Sequence, residues 1–253
     1  GSVSLIHNNL AGSSSGWIAS IHNSLNPGGG KLLLHSLTTG ECKDGPEVVQ
    51  ATSVRFVETS HGPVLCLTST NGTQIYTEDA TTLIFYLPIA DAGGDSQQLK
   101  FHQAACFVQT LQHIVVGTSK GSVYPISAAG AGQYMAISES EPSSFTTEVA
   151  DLCYCAMADA VVSVHSNGDL RVWTPAVSGP YTNSLVVPGA CQAPVRIMSL
   201  GPRLIVADGP GSLLIYDAFT CELQVDVSAH GRSISAAVVR EDLDQIVTVG
   251  EDT

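Results

Sequence analysis

Four stretches of this chain share one layout, and their spacing constrains the fold more than any other feature. VLCLTSTNGTQIY (64–76), IVVGTSKGSVYPI (114–126), VVSVHSNGDLRVW (161–173) and LIVADGPGSLLIY (204–216) each run from an apolar segment through a glycine-bearing turn into a second apolar segment. Two of the turns are Asn-Gly, a pair that supplies the positive φ a tight hairpin needs. The turn residues Gly72, Gly121, Gly168 and Gly211 lie 49, 47 and 43 residues apart. Long helical periodicity is absent. Short apolar runs alternate instead with Gly, Asn, Asp, Ser and Pro, the pattern of many short antiparallel strands.

A recurring unit of about 40–45 residues with four short strands is the blade of a β-propeller. The expected fold is therefore all-β, a single propeller of four-stranded antiparallel blades over 1–253. Blades are expected near 17–52, 54–90, 99–138, 145–187 and 194–228, with a partial one from 234. In the fifth unit PVRIMSL (194–200) is the innermost strand, RLIVAD the second, SLLIYD the third and ELQVDVS (222–228) the outermost. The closing QIVTVGEDT reads as a second strand and its turn, with no third strand after it. The expectation is a seven-bladed ring when complete, with its C-terminal part missing here.

Hydrophobic residues make up 44% and charged residues 13% of the chain, neither a disordered nor a coiled-coil composition. Ten Lys and Arg stand against 23 Asp and Glu, a net charge of −13. Such a surface repels a phosphate backbone, so neither nucleic-acid binding nor electrostatic membrane docking is expected. No run of about 18 apolar residues is present, so no membrane insertion is expected. The start, GSVSLIHNNL, lacks the basic-then-apolar order of an export signal. The seven cysteines are odd in number and scattered, with no C-x-x-C pair, which suits buried, reduced thiols in a cytoplasmic protein.

Several motifs resemble those of the WD-repeat β-propeller family. They are His230-Gly231 ahead of an inner strand, Gly168 to Trp173, Gly211 to Tyr216, and the closing Gly250-Glu-Asp-Thr. The stretches 68–95, 116–126 and 228–253 narrow the resemblance to one group within that family, in which the chain continues past a GEDT-like turn into a strand ending in Trp. The resemblance covers nearly the whole chain, most thinly at 11–50 and 127–160. It implies that His230, Thr248 and Asp252 form a structural hydrogen-bond network that fastens a blade, not a catalytic triad. HSNGDLRVW (165–173) has the Trp and the Asn-Gly turn without the same polar set, so the other blades are expected to rely on apolar packing. Members of the wider family are mostly non-catalytic platforms for other proteins.

Other chemistry finds little support. PGGGK (27–31) lacks both the Ser or Thr after the lysine and the Gly-x4-Gly-Lys spacing of a phosphate loop. None of the eight histidines stands in an H-x-x-x-H pair or a Cys/His cluster, so no metal is expected, and no cofactor. No Gly-x-Ser-x-Gly elbow is present. Asn71-Gly-Thr73 is formally a glycosylation sequon but reads as a hairpin turn. Arg55 in SVRF (53–56) and Arg196 in PVRI (194–197) are expected at equivalent blade positions on inner strands, and Arg232 precedes another. Loops entering inner strands line the top face of a propeller, so Arg55, Arg196 and Arg232 are candidates for binding a partner, such as an acidic peptide segment. The competing reading pairs them with acids such as Glu58 or Asp151.

The expected function is a non-catalytic scaffold for protein–protein interaction, presenting top-face and rim loops to other proteins. Two alternatives stay open. One is a structural subunit of a large assembly, joined through strand edges. The other is an enzyme with a central-channel site, which would need acids, histidines or a metal converging from several inner strands.

Overall fold

Short runs rich in Val, Ile, Leu and Thr, broken by glycine turns, fold as strands and not as helices. In a computed structural model, which describes residues 9–22, 30–48, 50–89, 102–130, 132–140 and 147–252, they build five four-stranded antiparallel sheets and one two-stranded sheet. The first holds β1 (Leu10–Gly12), β2 (Trp17–His22), β3 (Gly30–Ser36) and β4 (Cys42–Val48). The second holds β5 (Ala51–Thr59), β6 (Gly62–Ser69), β7 (Gly72–Thr77) and β8 (Leu83–Pro88). The third holds β9 (His102–Val108), β10 (His113–Thr118), β11 (Val123–Gly130) and β12 (Gln133–Ala136). The fourth holds β13 (Val149–Cys155), β14 (Ala160–His165), β15 (Leu170–Thr174) and β16 (Thr182–Val187). The fifth holds β17 (Pro194–Leu200), β18 (Arg203–Asp208), β19 (Ser212–Asp217) and β20 (Leu223–Ser228). The last pairs β21 (Ile234–Arg240) with β22 (Gln245–Gly250).

The strands of each sheet follow chain order, and the first strand is innermost. It packs beside the first strand of the next sheet, so that β1, β5, β9, β13, β17 and β21 succeed one another around the centre. The first sheet opens with β1 at Leu10, earlier than the boundary near 17 expected from sequence. Its three residues carry too little apolar signal to be read as a strand.

The core is divided. Each pair of neighbouring sheets encloses its own apolar cluster. Ile21, Leu32 and Leu34 meet Leu65, Leu67 and Tyr76 between the first two sheets. Val162, Val164 and Leu170 meet Leu204, Val206 and Tyr216 between the fourth and fifth. Second strands are therefore covered on both faces, and all six residues of β10 and of β14 are buried. That is why the centres of HIVVGT and AVVSVH read as near-continuous apolar runs instead of strictly alternating ones. Outer strands face solvent, and every residue of β20 is exposed.

One irregularity recurs. The inner strands β5, β9, β13, β17 and β21 each carry a bulge near their first residues, with Thr52, Ala104, Ala150, Val195 and Ser235 as the extra residue. A bulge bends its strand and re-aims the side chains around it. Repeated at one height in four sheets and one residue deeper in the third, it shapes one end of the channel.

Candidate functional site

That end holds a cavity of about 740 Å³. Four of the five bulge residues (Thr52, Ala104, Ala150 and Val195) line it, with Ile234 at the start of β21. Ser166 and the Gly209-Pro210 turn close the wall from the outer side. The lining is mostly small and apolar, and Glu148 is its one charged residue among those described. A volume of this order ordinarily accommodates a drug-sized ligand or a few residues of peptide.

Immediately below the bulges lies a charge cluster. Asp151 follows Ala150 on β13 and is fully buried. Its Oδ1 accepts a hydrogen bond from Arg55 Nη2 on β5. Its Oδ2 accepts the Ile197 backbone N–H at 3.0 Å and lies 3.9 Å from Arg196 Nε on β17. Two of the three candidate arginines thus converge on one of the two acids weighed against them, while Glu58 instead accepts from the Ser14 hydroxyl at 2.7 Å. The Arg55 guanidinium pushes the Arg196 pKa down to about 10; burial adds to this and Asp151 opposes it. Arg196 remains cationic at neutral pH.

The register corrects one sequence reading. Arg55 and Arg196 are not at equivalent positions. Ala51 and Pro194 are the equivalent strand starts, paired with Ser69 and Asp208 at the ends of β6 and β18. Arg196 lies two residues from its start and Arg55 four, so Arg55 is the deeper by two. The shared Val-Arg pair suggested otherwise because cross-strand partners, not local sequence, set a strand's height. Arg232 is placed differently again. It is exposed on the link into β21, beside Ser233 of the cavity wall.

His230, Thr248 and Asp252 come together at the last sheet. His230 Nδ1 is 2.7 Å from Asp252 Oδ1, and Nε2 is 2.9 Å from Thr248 Oγ1. Asp252 Oδ2 also accepts the Gly231 backbone N–H at 2.9 Å. These bonds, that from Gly231 first, hold the Asp252 carboxyl below its ordinary pKa. A nucleophile would need an open face and an oxyanion pocket. These hydrogen bonds tie the link before β21 to β22.

Polar fastening is not confined to that sheet, contrary to the sequence expectation. In the fourth sheet Trp173 Nε1–H donates to Ser163 Oγ at 2.8 Å, Ser163 Oγ lies 2.9 Å from His165 Nε2, and His165 Nδ1 lies 3.0 Å from the Thr147 carbonyl. Burial drops the His165 pKa to about 4, so the imidazole is neutral and can accept from Ser163. Between the second and third sheets Thr73 Oγ1 meets His102 Nδ1 at 2.7 Å. In the fifth, Asp208 accepts the backbone N–H groups of Ala193 at 2.6 Å and Gln192 at 3.1 Å. The histidine of the fourth sheet comes from the end of its second strand and not from the preceding link. A motif search for a histidine ahead of the inner strand therefore misses it, although HSNGDLRVW contains it.

Catalytic chemistry finds no constellation among the described residues. No group of three or more His, Cys, Asp or Glu is placed to hold a metal ion. Cys66, near Arg55, is pushed up to about 12 by burial, and Cys106 and Cys153 rise as well, so none offers a thiolate at neutral pH. Of PGGGK, Pro27 to Gly29 lie outside the described residues, and Gly30 and Lys31 begin β3. No helix among the described residues is long and apolar enough to cross a membrane.

Comparison with known proteins places this geometry. The family model described as WDR54 matches residues 13–253. WD repeat-containing protein 54 of Mus musculus is 29% identical over 198 residues, covering 75% of this chain and 57% of the mouse protein. The Homo sapiens protein of that name is 29% identical over 205 residues, with the same shares covered. The chain thus spans little more than half the length of these relatives. Among solved structures, a chain of the mitotic checkpoint complex superimposes with a TM-score of 0.73 at 14% identity, covering 96% of this chain and 69% of that one. The computationally designed Ika8 protein gives 0.67 at 16% identity, covering 97% and 68%. At those identities the likeness is one of fold, a β-propeller.

Proposed function

Because the chain belongs to the WDR54 family of WD-repeat propeller proteins, we propose that it is a non-catalytic scaffold that docks a partner polypeptide at the channel mouth. One observation carries this reading: the cavity wall is assembled from the bulged starts of successive inner strands and from turns held by hydrogen-bonded sheets. Such a frame holds variable loops in fixed positions, which suits recognition better than chemistry. Arg232 at the rim gives an acidic segment a favourable first contact on a chain of net charge −13. Affinity capture with the full-length protein tests it, comparing Arg232→Glu/Pro210→Trp at the mouth with Met157→Glu on the exposed β13–β14 turn. The expected result is a stable partner set lost only with the mouth variant. Loss with the Met157 variant alone moves docking to the other end, and turnover of a small substrate abolished by a point substitution overturns the non-catalytic reading.

A second reading, a structural subunit of a larger assembly, draws on β20, an outer strand whose Leu223, Val225 and Val227 are exposed at 53%, 47% and 39%. An edge of this kind can pair with another strand. Light scattering of the full-length protein decides it. An assembly broken by Val225→Glu supports the reading, and a monomer counts against it.

A further inference from the structure

The wall of the cavity joins two chemistries. It is mostly apolar, with Ala104, Ala150, Ala193, Val195 and Ile234 among its residues, and it includes the acid Glu148. That side chain is half-buried and has no ion pair or hydrogen bond among the described residues. The other lining residues are uncharged, and neither Arg55 nor Arg196 is one of them. The backbone that carries Glu148 is held on both sides. The Thr147 carbonyl before it lies 3.0 Å from His165 Nδ1, and its own carbonyl accepts the Ser166 N–H at 3.0 Å. An added Cβ at Gly121 would strike that Thr147 carbonyl, so the turn of the third sheet packs against it as well. The fastening of the fourth sheet thus fixes one carboxylate in an otherwise uncharged wall, two residues before the bulge at Ala150.

We propose that the cavity takes one lysine or arginine side chain of the docked polypeptide, its charged head against Glu148 and its aliphatic stem along the apolar wall. The proposal rests on the docking reading above and names the side chain that enters the cavity. A purely apolar occupant would strip water from the carboxylate without replacing it. A small hydrated cation would answer the charge and leave the apolar wall wet. A long basic side chain does both, since its stem covers apolar surface while its head keeps polar contacts. The net charge of −13 favours the approach of a cation, and about 740 Å³ has room for the side chain and the residues beside it. Arg232 stands on the link into β21, two inner strands round from β13. An acidic residue at the rim and a basic one in the cavity therefore occupy different points of one docked segment.

The test follows the methyl resonances of Ala104, Ala150 and Ala193 in the full-length protein, with Ala156 on the exposed β13–β14 turn as the reference. The probes are Gly-Ser peptides that differ at one central residue. With lysine or arginine there, the three cavity methyls should shift saturably and Ala156 should not. Norleucine, a stem without the charge, and diaminobutyrate, the charge on a short stem, should each bind about tenfold more weakly than lysine. Glu148→Gln should weaken the lysine peptide about tenfold. Glu241→Gln, which removes the same charge from the exposed β21–β22 turn, should leave its binding unchanged. No saturable shift with either basic peptide, or one shared by Ala156, overturns the site. Norleucine binding as tightly as lysine, or equal losses in the two glutamine variants, overturns the role of Glu148. Diaminobutyrate binding as tightly as lysine overturns the role of the apolar wall, and methylammonium matching the lysine peptide overturns the polypeptide source. If both basic peptides are inert while the mouth variant still loses its captured partners, the docking reading stands and the cation site alone falls. A mouth variant that keeps every partner overturns the docking reading itself.

Discussion

At the scale of single residues, the buried histidine of the fourth sheet has a direct consequence for pH. His165 is fully buried, and its pKa in the folded chain is about 4 against an ordinary 6.5. Between those values the unfolded chain binds a proton that the folded chain does not. Stability from this group is present above pH 6.5 and is lost as pH falls toward 4, by roughly 3 kcal/mol over the full interval. Urea unfolding from pH 7 to 4.5 should show that slope, and His165→Asn should flatten it. The same network gives a second expectation. Trp173→Phe removes the bond to Ser163 and leaves a buried hydroxyl short of a donor, at a cost of about 1–3 kcal/mol. Combined with Ser163→Ala the losses should fall short of additivity, because both changes break one bond.

At the scale of strands and turns, glycine spacing made the repeat legible because the requirement behind it is steric. Gly168 has φ +86°, and an added Cβ would strike the Cys191 carbonyl. Gly179 has φ +93° but nothing within 4 Å. Both substitutions to alanine carry backbone strain, about 1 kcal/mol. Only Gly168→Ala adds a collision with fixed backbone, so it should lower the unfolding temperature by several degrees more than Gly179→Ala. The fastening of the sheets was less legible. At the equivalent end of the second strand stand Ser69, Thr118, His165, Asp208 and Gly250, five different residues meeting one need to satisfy polar groups. Thr118 bonds Ser122 at 2.6 Å, Asp208 takes backbone N–H groups, and Gly250 leaves the space that the His230 ring fills. Only the last solution has a recognisable motif. Of the candidate site, the arginines could be named from sequence. Asp151 could be named too, as one of two acids to pair with them, but that both arginines reach this one acid could not, since it depends on a two-residue difference in height and on a partner 96 residues away.

At the scale of the molecule, the divided core implies that each sheet draws its stability mainly from its two neighbours, as in repeat proteins. The Asp151 cluster departs from that rule. Arg55 belongs to the second sheet and Asp151 to the fourth, with β9 between them, so their bond couples sheets that are not neighbours. Breaking a buried ion pair by removing one partner costs about 3–5 kcal/mol, and the partial exposure of both arginines places the expected loss for Asp151→Asn near the lower figure. The distribution of that loss is the informative quantity. If the acid acts as a tether, hydrogen exchange should accelerate most in β5, β13 and β17, the three inner strands it joins, while β2 and β3 keep their protection. Arg232→Ala, a change at an exposed rim residue, should leave every sheet within about 0.5 kcal/mol of the parent. A uniform acceleration across all sheets would instead mean that Asp151 supports the fold as a whole. The centre would then be a common anchor rather than a link between particular blades.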